Sequence, residues 1–153
     1  MLAADGNATS SPSERHVLLA VIAVTTAGVL PVFLFGGLAV QLRRDLALDD
    51  STRGLVTFGY FAVSAALSIA SGRLTERYGS RAVMRAAAIT GVVSLLGIAG
   101  DRSLLFVFIA LAFGGMSNAL GQPAANALVV RTIAASRQGL ALGVKQAAIP
   151  AAT

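Results

Sequence analysis

No cysteine occurs among the 153 residues, so neither disulfides nor thiolate metal sites can hold the chain together and packing must do that alone. Charge is scarce as well: 12% of residues are charged and 56% are hydrophobic, far from the balance of a soluble domain. There is one histidine, His16, in the polar lead before the first apolar stretch, and the acidic residues are confined to connections. No nucleophile, base and orienting group can be assembled from that inventory, so the expectation is no enzyme, no catalytic residue, no cofactor and no metal site. The Gly-x-x-x-Gly runs lie inside apolar segments and lack the strand-to-helix setting of a phosphate loop.

What is abundant is apolar length. Four stretches, at about 17–40, 55–71, 82–99 and 104–130, approach or exceed the ~20 helical residues that a ~30 Å hydrocarbon core requires. They are apolar nearly all round, whereas helices around a soluble core need a polar face. The fold class expected is therefore an all-α, polytopic transmembrane helix bundle with the lipid bilayer as its surroundings. The first stretch follows a polar tail, residues 1–16, and runs on into Arg43 and Arg44. It is longer than the ~7–15 apolar residues of a secretory signal and reads as a retained helix.

Lys and Arg near helix ends resist translocation, so their distribution sets orientation. Arg15, Arg73, Arg77, Arg81, Arg85, Arg131 and Arg137 fall on one side, and Arg43, Arg44, Arg53 and Arg102 on the other. Seven against four predicts a cytoplasmic N-terminus in a bacterial-type cell membrane. The formal charge of +5 then reflects orientation, and no nucleic-acid partner is expected.

Between the second and third stretches, Gly72-Arg73-Leu74-Thr75-Glu76-Arg77-Tyr78-Gly79-Ser80-Arg81 reads as a compact charged loop. It resembles the loop after the second helix of the major facilitator superfamily, with pattern Gly-x-Leu-small-Asp-Arg-x-Gly-Arg-Arg or Lys. Gly72, Leu74, Glu76, Arg77, Gly79 and Arg81 match in register; Glu76 replaces Asp with its charge kept, and Ser80 stands where a first basic residue is usual. The resemblance implies a cytoplasmic gating loop that packs against the second half of a transporter and stabilises its outward-facing state. Chemically, Glu76 can accept charge-assisted hydrogen bonds from Arg77, Arg81 or a helix N-terminus, Gly72 can admit a close backbone, and Gly79 can take a positive φ.

Polar residues inside the apolar stretches are the candidates for a solute path. Asn118, Gln122 and Asn126 recur every four residues and share one helical face, where amides need other helices or a wet cavity. Pro123 frees a backbone carbonyl beside them. Lys145 sits well inside a fifth apolar segment, either as a cavity-facing cation for an anionic group or as a snorkelling side chain. Thr57, Tyr60, Ser64, Ser68 and Ser71 form a weaker stripe on the second helix, because hydroxyls can bond the preceding turn. Ala62, Ala66 and Ala70, Gly139, Gly143 and Ala147, and the pair Gly114 and Gly115 predict close helix packing.

The resemblance implies a partial N-terminal half of a twelve-helix fold, residues 17–153, with the fifth segment, 139–153, read as incomplete. It implies transport of a small-molecule solute by alternating access, completed by C-terminal helices supplied in cis or by another chain. A truncated fragment without autonomous transport and a small self-assembling membrane protein are the alternatives. No carboxylate lies in the four full spans, Ala110 stands where the family often carries an Arg, and Ile149 precedes Pro150 where antiporters carry Gly. Drug–proton antiport accordingly loses support.

Overall fold

The computed structural model describes residues 12–38, 41, 49–100 and 103–151, and among them five α-helices and no strand. The helices are α1 Pro12–Gly37, α2 Asp50–Tyr78, α3 Ser80–Gly100, α4 Leu104–Thr132 and α5 Ala135–Ala151. The first four are long and apolar enough to cross a membrane. With 29 residues each, α2 and α4 rise about 44 Å, more than a ~30 Å hydrocarbon core, so their ends reach the headgroups. This all-α transmembrane bundle is the fold class expected from the apolar runs. Residues 1–11, Arg43, Arg44, Arg102 and the side chain of Pro150 lie outside the described residues.

Local chemistry sets the helix ends. Asp49 caps α2 by accepting from the Thr52 amide at 3.0 Å, and Ser103 caps α4 by accepting from Phe106 at 3.3 Å. At the other end of α4, the Gln138 side-chain amide donates to the carbonyls of Ile133 and Val130, at 2.9 and 3.1 Å, satisfying acceptors left over at the corner into α5. Glu14 and Arg137 pair at 3.4 Å and join the starts of α1 and α5.

Successive helices run antiparallel, with α4 packed against each of the other four. One apolar cluster gathers Val21, Met84, Ala125, Val129 and Ile133; a second gathers Phe35, Val56, Tyr60, Val107 and Leu111 toward the opposite end. Large apolar side chains such as Leu19, Phe58, Ile69, Ile89, Leu96 and Leu105 point outward, as a protein solvated by lipid requires. This is an integral membrane protein.

Backbones approach closest along α4. A Cβ at Gly115 would collide with the carbonyl oxygen of Tyr60 on α2, and one at Gly114 would fall 2.9 Å from Ser94 Oγ on α3 and 3.0 Å from Pro31 Cβ on α1. Gly114 and Gly115 therefore pack as their sequence context predicts. The other small-residue runs do not. Ala66 and Ala70 are exposed, and so are Gly139, Gly143 and Ala147; a Cβ at either of those glycines meets nothing within 4 Å.

Candidate functional site

The amide face of α4 splits between two neighbours. Each four-residue step turns about 40° around a helix of 3.6 residues per turn, so a stripe of three amides sweeps around the axis. Asn118 consequently faces α2, where its Nδ2 donates to Ser64 Oγ at 2.9 Å. Gln122 and Asn126 instead meet α5. There Lys145 Nζ donates to Gln122 Oε1 and to Asn126 Oδ1, each at 2.7 Å.

Lys145 is only 2% exposed, with its ammonium turned to α4. An ammonium has three donors, and both bonds identified here go to neutral oxygens. No ion pair to Lys145 occurs among the described residues. Asn126 is exposed and Gln122 half-buried, so the clamp opens on the Asn126 side. Asn118 Oδ1 is buried without a hydrogen-bond partner. Of the four path residues inferred from sequence, three thus converge and Asn118 stands apart on the α2 side.

Pro123 explains a contact that sequence alone did not pair. A proline cannot donate to the carbonyl four residues back, which here is Ala119. Ser71 Oγ of α2 donates to that oxygen at 2.6 Å. The freed carbonyl is therefore used for helix packing. Tyr60 and Ser117 act alike, donating at 2.7 Å to the carbonyls of Gly28 and Ala87. The hydroxyl stripe of the second helix carried the signal for Tyr60 and Ser71 but not for Ser117, and the partners of all three required the register between helices. Ser68 bonds its own preceding turn, through the Ser64 carbonyl at 2.7 Å.

The segment expected as a loop is almost entirely helical. Gly72 to Tyr78 form the last two turns of α2, and Ser80 already opens α3. Nothing between Arg73 and Tyr78 disfavours a helix strongly enough to end it, so Gly79 alone makes the turn, at φ 82° and ψ 152°. Its N–H closes the helix on the Thr75 carbonyl at 3.0 Å. Gly72 faces open space and not a neighbouring backbone. Leu74, Glu76, Arg77 and Arg81 are exposed, and no ion pair links Glu76 to either arginine among the described residues. Arg77 lies 5.5 Å from the centre of the Tyr78 ring.

Two of the cavities that flank α1 lie toward its opposite ends. One of about 380 Å³ at the arginine-rich end is lined by His16, Val17, Arg81, Met84, Arg85 and Leu128. The other, of about 470 Å³, has Val32, Phe33, Arg53, Thr57 and Tyr60 on its walls. Lys145 lines neither. Among the described residues no cluster of His, Asp or Glu could hold a metal ion.

Comparison with known proteins matches the pattern of the Major Facilitator Superfamily to residues 17–153. Two curated relatives are each named "Probable nitrate/nitrite transporter NarK2", from Mycobacterium tuberculosis strains CDC 1551 / Oshkosh and ATCC 25618 / H37Rv. Each is 30% identical over 99 residues, covering 61% of this chain and 25% of the relative. The chain thus matches about a quarter of the length of these relatives. No solved structure matches.

Proposed function

Because this chain belongs to the Major Facilitator Superfamily, we propose that it acts as the N-terminal portion of a secondary transporter moving a small solute by alternating access. The observation that carries the reading is the clamp on Lys145: a buried cation held by Gln122 and Asn126 between two apolar helices. Ionisable groups in such places mark solute paths by default, because lipid alone would not tolerate them. Asn118 extends the polar lining toward Ser64 and α2.

The gate in this reading is the helical end of α2 with its Gly79 turn. Glu76, Arg77 and Arg81 are exposed and so available to a second half, which rocks against this bundle and is supplied in cis or by another chain. Gly72 and Leu74 belong to the same contact surface, and the open space at Gly72 gives a partner helix room to approach. The arginine-rich end, with Arg15, Arg73, Arg77, Arg81, Arg85, Arg131 and Arg137, faces the cytoplasm of a bacterial-type cell membrane. The names of the mycobacterial relatives make nitrate and nitrite the first solutes to test.

Uptake into vesicles carrying the protein as its gene encodes it tests this reading. The expected result is saturable uptake above protein-free vesicles, reduced in Glu76→Gln because the balance between the two states shifts. Wild-type rates in Glu76→Gln would remove the gate, and no uptake of any small solute above protein-free vesicles would remove the transporter.

A further inference from the structure

We propose that the solute is an anion, and that Lys145 recognises it by exchanging one of its two amide partners for the negative charge; this rests on the transporter reading above. The argument is one of charge balance. Lys145 is the only lysine of the chain, and it is buried. Burying an ammonium is offset fully only by a counter-charge with satisfied hydrogen bonds. Its acceptors here are two neutral amide oxygens. The groups facing it from α4 are Gln122 and Asn126, and neither α4 nor α5 contains an Asp or Glu. On α1, which also packs against α5, the acidic residue is Glu14, and it pairs with Arg137. Among the described residues the site therefore holds a positive charge with no carboxylate bonded to it.

An anion corrects that imbalance because it adds direct Coulomb attraction to the hydrogen bond that the ammonium now makes to a neutral oxygen. Asn126 is the partner that gives way, since it is exposed whereas Gln122 is half-buried. Gln122 keeps the ammonium in place meanwhile. A cationic solute meets like charge here, and a neutral one gains no more than the amides already provide. Release of Asn126 also removes one of the polar ties between α4 and α5, which couples anion binding to the position of α5.

The protein as its gene encodes it is labelled with 15N-lysine and placed in nanodiscs, and the ammonium resonance that disappears in Lys145→Arg is the one to follow. Acetate and thiocyanate are titrated at constant ionic strength in a gluconate background, with acetamide and ethylammonium as neutral and cationic counterparts. The expected result is a saturable shift with at least one of the two anions and none with acetamide or ethylammonium. In a parallel thermal-shift titration, Asn126→Ala binds that anion about threefold more tightly, because a competing acceptor is gone. Lys145→Gln loses at least about tenfold while Lys145→Arg retains binding. No saturable shift with either anion, an equal response to acetamide or ethylammonium, or unchanged binding in Lys145→Gln overturns the proposal. Anion binding without uptake in the vesicle assay leaves this site standing and removes the transporter reading instead.

Discussion

The two flanks of α4 are built on different physics. Toward α2 and α3 the contact is dry and close, made by Gly114 and Gly115 and by hydroxyls that donate to backbone carbonyls, Ser71 to Ala119 and Ser117 to Ala87. Toward α5 the polar ties are made by side chains of α5, Gln138 to the Val130 carbonyl at the corner and the Lys145 ammonium to Gln122 and Asn126, while Gly139 and Gly143 face open space. Packed backbones have one good arrangement, whereas hydrogen bonds from a flexible lysine stem can be exchanged for others. The first flank fixes the bundle; the second is where a solute and a moving helix can act.

The contrast breaks most visibly at glycines. Gly115→Ala drives a methyl group into the Tyr60 carbonyl, with an expected loss of about 3 kcal/mol from overpacking. The check is thermal unfolding in detergent, with Gly139→Ala as its counterpart on the α5 flank. That change meets open space and gains helix propensity, so it is neutral or stabilising by up to ~1 kcal/mol. Equal losses at both positions would erase the distinction. At the turn between α2 and α3, Gly79→Ala forces a side chain into a backbone region that strongly favours glycine, at roughly 2 kcal/mol. Its unfolding midpoint should fall between those of the two glycine variants above.

Ser71 and Pro123 sharpen the comparison through coupling. Ser71→Ala leaves the Ala119 carbonyl without its donor and costs about 1–2 kcal/mol. Pro123→Ala restores an N–H to that carbonyl, so in the double variant the serine loss shrinks by about 1 kcal/mol. Additive losses in the double-mutant cycle would show that Ser71 does not substitute for the missing donor.

The smallest effect lies at the start of α2, away from both flanks. The Thr52 hydroxyl and amide hold the Asp49 carboxylate below its usual pKa. A group depressed on folding stabilises above its unfolded value, near ~3.9, and loses that contribution as pH falls through the lower folded value. Protection factors of the amides in the first turn of α2, taken relative to the intrinsic exchange rate at each pH, should therefore fall below about pH 4 and stay constant over that range in Asp49→Asn.

Much of the fold could be read in the sequence because lipid imposes it: long runs without Asp or Glu leave helices as the economical way to satisfy the backbone. The i, i+4 spacing of Gln122 and Asn126 likewise announced a shared face. What stayed hidden depends on register between helices. Lys145 lies 19 and 23 residues from its two partners, and nothing local sets that distance. The run from Gly72 to Arg81 is helical on both sides of Gly79, because charge suggests exposure but does not end a helix; Arg73, Glu76 and Arg77 are compatible with one. Gly139 and Gly143 show the converse, since small residues permit close approach without supplying a neighbour.

No cysteine occurs among the 153 residues, so cysteines placed singly within them, with any elsewhere in the protein replaced, test the central claim. Ser68→Cys on α2 and Ala147→Cys on α5 both replace exposed residues of the bundle. Their reaction with a membrane-impermeant maleimide would be measured from each side of sealed vesicles, with and without the solute that supports uptake. Alternating access predicts that each position reacts from both sides and that solute shifts the ratio between them. Reaction from one side only, unchanged by solute, would contradict it.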